Sequence, residues 1–142
     1  MQISPYLNFN GHCEAAFKFY EKVFGGKINA LISHAGTPTA ETVPADRRSK
    51  IMHSHLNAGD QVVMGSDAPP GHFQKPQGIA VSLQIKSPSE AERIFHAMSE
   101  GGKGTMAIQE TFRAARFGMF VDRFGIPWMV KLREGSVTFL AG

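Results

Sequence analysis

Two stretches of this chain match each other at one fixed offset. A shift of 76 positions puts Ile3 on Ile79, Leu7 on Leu83, Glu14 on Glu90, Ala15 on Ala91 and Phe19 on Phe95. The same shift, without a gap, puts Gly25, Gly26 and Lys27 on Gly101, Gly102 and Lys103. Two amphipathic helices that end in glycine could match by chance. Here the match also takes in the segment before each helix, so one structural unit is expected twice.

The elements of that unit follow from residue pattern. Residues 3–9, ISPYLNF, read as a strand with Pro5 near its beginning or at a sheet edge. In NGHCEAAFKFYEKVFGG, residues 10–26, Ala16, Phe17, Tyr20 and Phe24 share one helical face. Asn10 is the expected cap and Gly25-Gly26 the stop. Lys27 to His34 is a strand, and the Pro-, Thr- and charge-rich residues 35–49 are a long loop or lid. KIMHSHLN and QVVMGS form a hairpin about AGD at 58–60, and residues 66–78 are loop.

The order then restarts. IAVSLQI, 79–85, is a strand, and SPSEAERIFHAMSEGG is a helix with Ser87 as cap, Pro88 first and Glu90 three after the cap. Its buried stripe is Ala91, Ile94, Phe95 and Met98, and Gly101-Gly102 stops it. Strand-like runs follow at 104–111, 116–122 and 126–132, with Asp122-Arg123-Phe124-Gly125 as a tight turn. The expected fold is α+β, one domain of two βαβββ modules, about 1–68 and 78–134, with a short tail at 135–142. Each sheet has one helix-covered face, and the two curved mixed sheets are expected to enclose a concave cleft for a ligand.

Composition narrows the function classes. With 142 residues and 42% hydrophobic content the chain can bury a core without crosslinks, and its one cysteine, Cys13, excludes an internal disulfide. No apolar run approaches the ~20 residues of a membrane helix. The start lacks a basic segment followed by an apolar one, which predicts a cytoplasmic protein. The net charge of +3 is mild and its basic residues are scattered. The densest group, Arg47, Arg48 and Lys50, lacks interleaved aromatics, so nucleic acid is not the expected partner.

Three blocks, PYLNFNGHCEAAFKFYEKVFGGK at 5–27, KIMHSHLNAGDQVVMGSDA at 50–68 and QETFRAARFGMFVDRFGIPWMV at 109–130, resemble the PhnB-like branch of the vicinal oxygen chelate superfamily. Glyoxalase I, extradiol dioxygenases and the fosfomycin- and bleomycin-resistance proteins belong to that superfamily. The resemblance implies a homodimer with a small-molecule site. It also implies a divalent metal held by His, Glu or Gln at four places, acting as a Lewis acid. Here those places carry about Pro5, Ala80, Met129 and the neighbourhood of His53. Proline and alanine offer no donor and methionine prefers soft metals, so no cofactor is expected. The branch is often named for methyl transfer. A doubly wound methyltransferase needs a glycine-rich turn that opens a helix, and both glycine pairs here end one.

His53 and His55, at i and i+2 in a strand, point to one face. Zinc would need a further ligand, with His34, His72, Glu110 and Asp67 as candidates. The plainer reading is hydrogen bonding in a pocket wall. His12 and His96 fall on helix surfaces. Cys13, in the first turn of a helix, could be an activated thiolate, but a lone cysteine is usually a small buried apolar residue. Phe117, Met119, Phe120 and Trp128 lie on the last strands, some facing the helix and some the cleft. Where branch members carry Trp-Gly-Asp, this chain has Arg113, Ala114 and Ala115 ahead of Arg116. A more positive mouth should result, able to meet a carboxylate or phosphonate. The expected ligand contacts are therefore His53, His55, Arg113, Arg116, Phe120 and Trp128. The expected function is binding of a small anionic or aromatic molecule in a degenerate chelate-type cleft. The competing readings are a metal-dependent lyase, isomerase or dioxygenase using His53, and a methyltransferase.

Overall fold

A computed structural model describes residues 1–109 and 117–132, and the chain falls into two units, Met1–Lys75 and Pro76–Gly142. The first runs β1 (Tyr6–Phe9), α1 (Cys13–Phe24), β2 (Lys27–Ser33), β3 (Ile51–Ala58) and β4 (Gln61–Asp67). The second runs β5 (Val81–Ile85), α2 (Pro88–Ser99), β6 (Lys103–Gln109), β7 (Phe117–Val121) and β8 (Pro127–Leu132). Strand order is β1-β4-β3-β2 in one sheet and β5-β8-β7-β6 in the other. In both, the first strand is parallel to the last and the remaining pairs are antiparallel. Each unit is thus the expected βαβββ module. The segment read as one long loop before β3 contains two 3-10 turns, Pro38–Thr42 and Ala45–Arg47.

Alternation along the strands separates a covered face from an open one. Leu7, Phe9, Ser54, Leu56 and Val63 are buried, as are Cys13, Ala16, Phe17, Tyr20 and Val23 of α1. Phe17 meets Phe9 edge-on at 6.1 Å and Tyr20 at 5.9 Å. In the second unit α2 buries Ala91, Ile94, Phe95 and Met98, while Phe120, Trp128, Val130 and Leu132 are buried from the sheet. Phe95 meets Phe120 edge-on at 5.5 Å. Each large side chain so buried stabilises the fold by roughly 1.5–3 kcal/mol.

The repeat is real but not gapless. The first two strands and the glycines keep the offset of 76, with Leu7 corresponding to Leu83 and Lys27 to Lys103, and the pairing is also kept, since Leu7 pairs with Gly65 as Leu83 pairs with Val130. The helices do not keep it. Buried Ala16, Tyr20 and Val23 correspond to buried Ala91, Phe95 and Met98, an offset of 75. Ala15, matched to Ala91 by sequence, is exposed. The first unit has one more residue between strand and helix and one fewer behind the helix.

The glycine pairs explain why the offset returns. Gly25 and Gly101 take φ of 67° and 75°, the left-handed conformation that turns the chain out of a helix. A Cβ on Gly26 would run into the carbonyl oxygen of Asn57, and one on Gly102 into that of Val121. The strand after each helix therefore passes too close to its neighbour for any side chain.

The two helix entries differ. Ser87 caps α2 as expected, its hydroxyl accepting the Glu90 N–H at 3.4 Å. Glu90 does not close the capping box. Its carboxylate holds Arg93 through bonds of 3.0 and 2.9 Å, which pulls the Glu90 pKa below its ordinary value. Asn10 does not cap α1. The N-cap residue is His12, without a side-chain bond, and the acceptor comes from the far end of the unit. Asp67 Oδ1 accepts the N–H groups of Gly11 and Cys13, both at 3.0 Å, and Oδ2 accepts that of Ile51 at 2.9 Å. Asp122 holds the turn between β7 and β8 similarly, accepting from Phe124, Ile126 and the Trp128 indole.

Cys13 is buried, with its sulfur 3.3 Å from the Ser54 hydroxyl. Desolvation pushes its pKa up to about 12, against the lowering effect of the Ser54 bond, and the nearby charges of Asp67 and Glu14 add to the rise. The helix terminus does not make this thiol reactive.

Replacing Asp67 by Ala leaves three N–H groups without their acceptor. Those of Cys13 and Ile51 are buried, and at about 1–3 kcal/mol for each, chemical denaturation should show a loss on the order of 2–6 kcal/mol; a change below ~1 kcal/mol would contradict this account. For Cys13, alkylation by iodoacetamide at pH 8 should be slow in the native protein and fast in denaturant. The folded pKa lies above the ordinary thiol value of 9.0, so this group's contribution is full below pH 9. It falls as pH rises from 9 towards 12, and Cys13→Ala should remove that part of the decline.

Candidate functional site

Each sheet has a face directed away from its helix, and register places its side chains in rows. In the first unit Tyr6 pairs with Met64, Met64 with His55, and His55 with Ala30. The adjoining row brings Asn8 opposite Ser66, with His53 opposite Ile32. In the second unit the corresponding row runs Ser82, Met129 and Met119. The row beside it holds Gln84, Lys131 and Phe117.

The first of these faces concentrates the polar chemistry. His53 and His55 are both half-buried and side by side, as their spacing in β3 requires. Tyr6, 46% exposed, stacks on His53 with ring centroids 6.4 Å apart and planes 26° from parallel. Because β4 lies between β1 and β3, this contact spans a whole strand. Sequence pattern does not single out Tyr6 for this face. Its position in an alternating strand, with Leu7 and Phe9 facing the helix, was the available signal.

The other expected site residues are dispersed. Phe120 and Trp128 sit in the core of the second unit, each 1% exposed, in cross-strand register with one another. Their side chains share the face that meets α2, and Met119 and Met129 take the opposite face. Arg113 and Arg116 lie outside the described residues, as does Glu110. His34 Nδ1 is bonded to the Thr39 hydroxyl at 2.9 Å, and His72 is an exposed loop residue. His12 is exposed, and His96 pairs with Glu92 on the surface of α2.

The donor chemistry can be tested against the divalent ion that the fold type implies. Asp67 is committed to three backbone N–H groups on the covered side, so it cannot join His53 and His55. Among the described residues, no three of His, Cys, Asp and Glu come together. What accompanies the two imidazoles is a phenol and a thioether, Tyr6 and Met64. Pro5 and Ala80, just ahead of β1 and β5, have no donor. The described residues do not fit an oxygen-seeking divalent cation.

Comparison with known proteins places this arrangement. A family model described as 3-demethylubiquinone-9 3-methyltransferase matches residues 1–131. Protein YjdN from Escherichia coli (strain K12) is 33% identical over 146 residues, covering 97% of this chain and 99% of its own. The structure of protein PA1353 from Pseudomonas aeruginosa is 43% identical, with a TM-score of 0.87 over 94% of this chain and 98% of that chain. The PhnB protein from Bacillus cereus shares the fold at 19% identity, with a TM-score of 0.79 over 94% of this chain and 100% of that chain. Proteins of the glyoxalase/bleomycin-resistance and fosfomycin-resistance types share it as well. Methyl transfer enters only through the family's description; the mixed sheets and helix-ending glycines lack the doubly wound turn that would cradle S-adenosylmethionine. On residues 1–131 and on a near-complete match to its relatives, the chain belongs to the 3-demethylubiquinone-9 3-methyltransferase family, with a fold shared by glyoxalase/bleomycin-resistance proteins.

Proposed function

We propose that this protein binds a small aromatic or anionic molecule on the open face of its first sheet, as a binding or sequestration protein whose chelate-type site has lost its divalent metal. The Tyr6–His53 stack carries the reading. Two rings held near parallel on a face without a helix offer a platform for a third ring. His55, Asn8 and Ser66 supply polar groups around it, the pattern of a small-molecule site with few placed donors. Arg113 and Arg116 lie outside the described residues and belong to the second unit; sequence pattern alone assigns them to a carboxylate or phosphonate, without placing them on this face. A cytoplasmic homodimer belongs to the same reading. β1 and β2 are the outer strands of the first sheet, and unpaired edges favour association.

The probes are benzoate and phenylphosphonate, with benzamide as the neutral analogue, followed by ligand-observed NMR on protein purified without a histidine tag. Tyr6→Ala and His53→Ala should each weaken all three probes, by about tenfold if a stacking contact worth ~1.4 kcal/mol is lost. The double change Arg113→Gln with Arg116→Gln should weaken the two anions and leave benzamide alone. Binding that ignores Tyr6 and His53 refutes the platform, and anion affinity that survives loss of both arginines refutes their role. Light scattering should give twice the chain mass. Stoichiometric Zn, Ni, Mn or Fe lost in His53→Ala would instead favour the metal-dependent enzyme.

A further inference from the structure

We propose that His53, His55 and Met64 form a binding site for a soft monovalent cation, Cu(I). His55 and Met64 are direct register partners on adjacent strands, where opposed side chains leave Cβ atoms ~5 Å apart. His53 stands two residues from His55 on the same face. Its ring reaches over β4 to stack on Tyr6, and Tyr6 is the register partner of Met64 on the other side. The imidazole of His53 is thus carried over the strand that bears the thioether. Register and the stack thus put His53, His55 and Met64 on one face around β4, and the proposed site requires both imidazoles and the sulfur to turn towards one point there.

The donor set selects the ion. Two neutral imidazoles and one thioether bring no negative charge, and no carboxylate joins them among the described residues. Such a set is poor for Mg, Ca or Mn, which take oxygen, and incomplete for Zn, which takes four ligands. Thioether and imidazole suit Cu(I), which accepts low coordination numbers. All three residues are half-buried, so the ion would be partly shielded from water. The same positions in the second sheet carry Met119, Met129 and Phe117, without an imidazole, and provide an internal control. The inference does not rest on the organic-ligand reading, because a titration with copper alone tests it.

The experiment is anaerobic competition against the coloured Cu(I)–bicinchoninate complex, using the full chain without a histidine tag. The protein should withdraw one equivalent of copper, and excess Zn(II) should leave it in place. His55→Ala and Met64→Leu should each weaken binding about tenfold or more, a lost ligand being worth at least ~1.4 kcal/mol. Met129→Leu and Cys13→Ala should bind as the parent does. X-ray absorption at the copper edge should show nitrogen with one sulfur, and Met64→Leu should lose the sulfur. No withdrawal of copper, displacement by zinc, or unchanged affinity in Met64→Leu overturns the site. So does binding that disappears with Cys13. A spectrum of the parent protein with nitrogen alone overturns it even where a variant fails to fold.

Discussion

A single carboxylate organises the first unit. Asp67, at the end of β4, accepts from Gly11 and Cys13 at the entry to α1 and from Ile51 at the entry to β3. A buried carboxylate is tolerated only where hydrogen bonds replace its hydration, and three backbone donors do so here. The bonds fix where α1 lands on the sheet and where β3 begins, which sets the position of His53 two residues later. Neighbouring cations act on carbonyls of the same region: Lys50 donates to the Gly11 carbonyl at 3.2 Å and Arg47 to that of Ala68 at 2.6 Å. The densest basic group of the sequence, Arg47, Arg48 and Lys50, is thus engaged in holding loops.

The framework could be read from residue pattern because each part of it is local. Helix stripes, glycine stops, the hairpin at 58–60 and the Asp122 turn depend on neighbours a few positions away, and all appear where expected. Asn10 carries the local signal of a capping residue but does not cap the helix. Its replacement, Asp67, comes from more than fifty residues downstream, and no short-range signal marks it. The helix offset was hidden for a related reason. Identities such as Ala15 with Ala91 score as matches whether or not the two residues face the same way.

The site was less visible. Spacing placed His53 and His55 on one face, and the structure has them so. It could not say which aromatic would join them, since alternation leaves the choice of face open until a helix is docked. Docking sends Phe120 and Trp128 into the core and leaves Tyr6 outside. The pair Phe120 and Trp128 therefore supports the second sheet from behind, and the ring that meets His53 comes from the short first strand.

The helix offset also separates the histories of the two sides of each sheet. One residue gained before a helix and one lost behind it turn that helix by about 100° relative to its sequence while the strand lattice stays put. The covered side must then be repacked in each half independently. The outer lattice keeps its pairing in both units, so His55 and Met119 occupy equivalent positions of the register. Variation there exchanges one chemistry for another without asking the core to move.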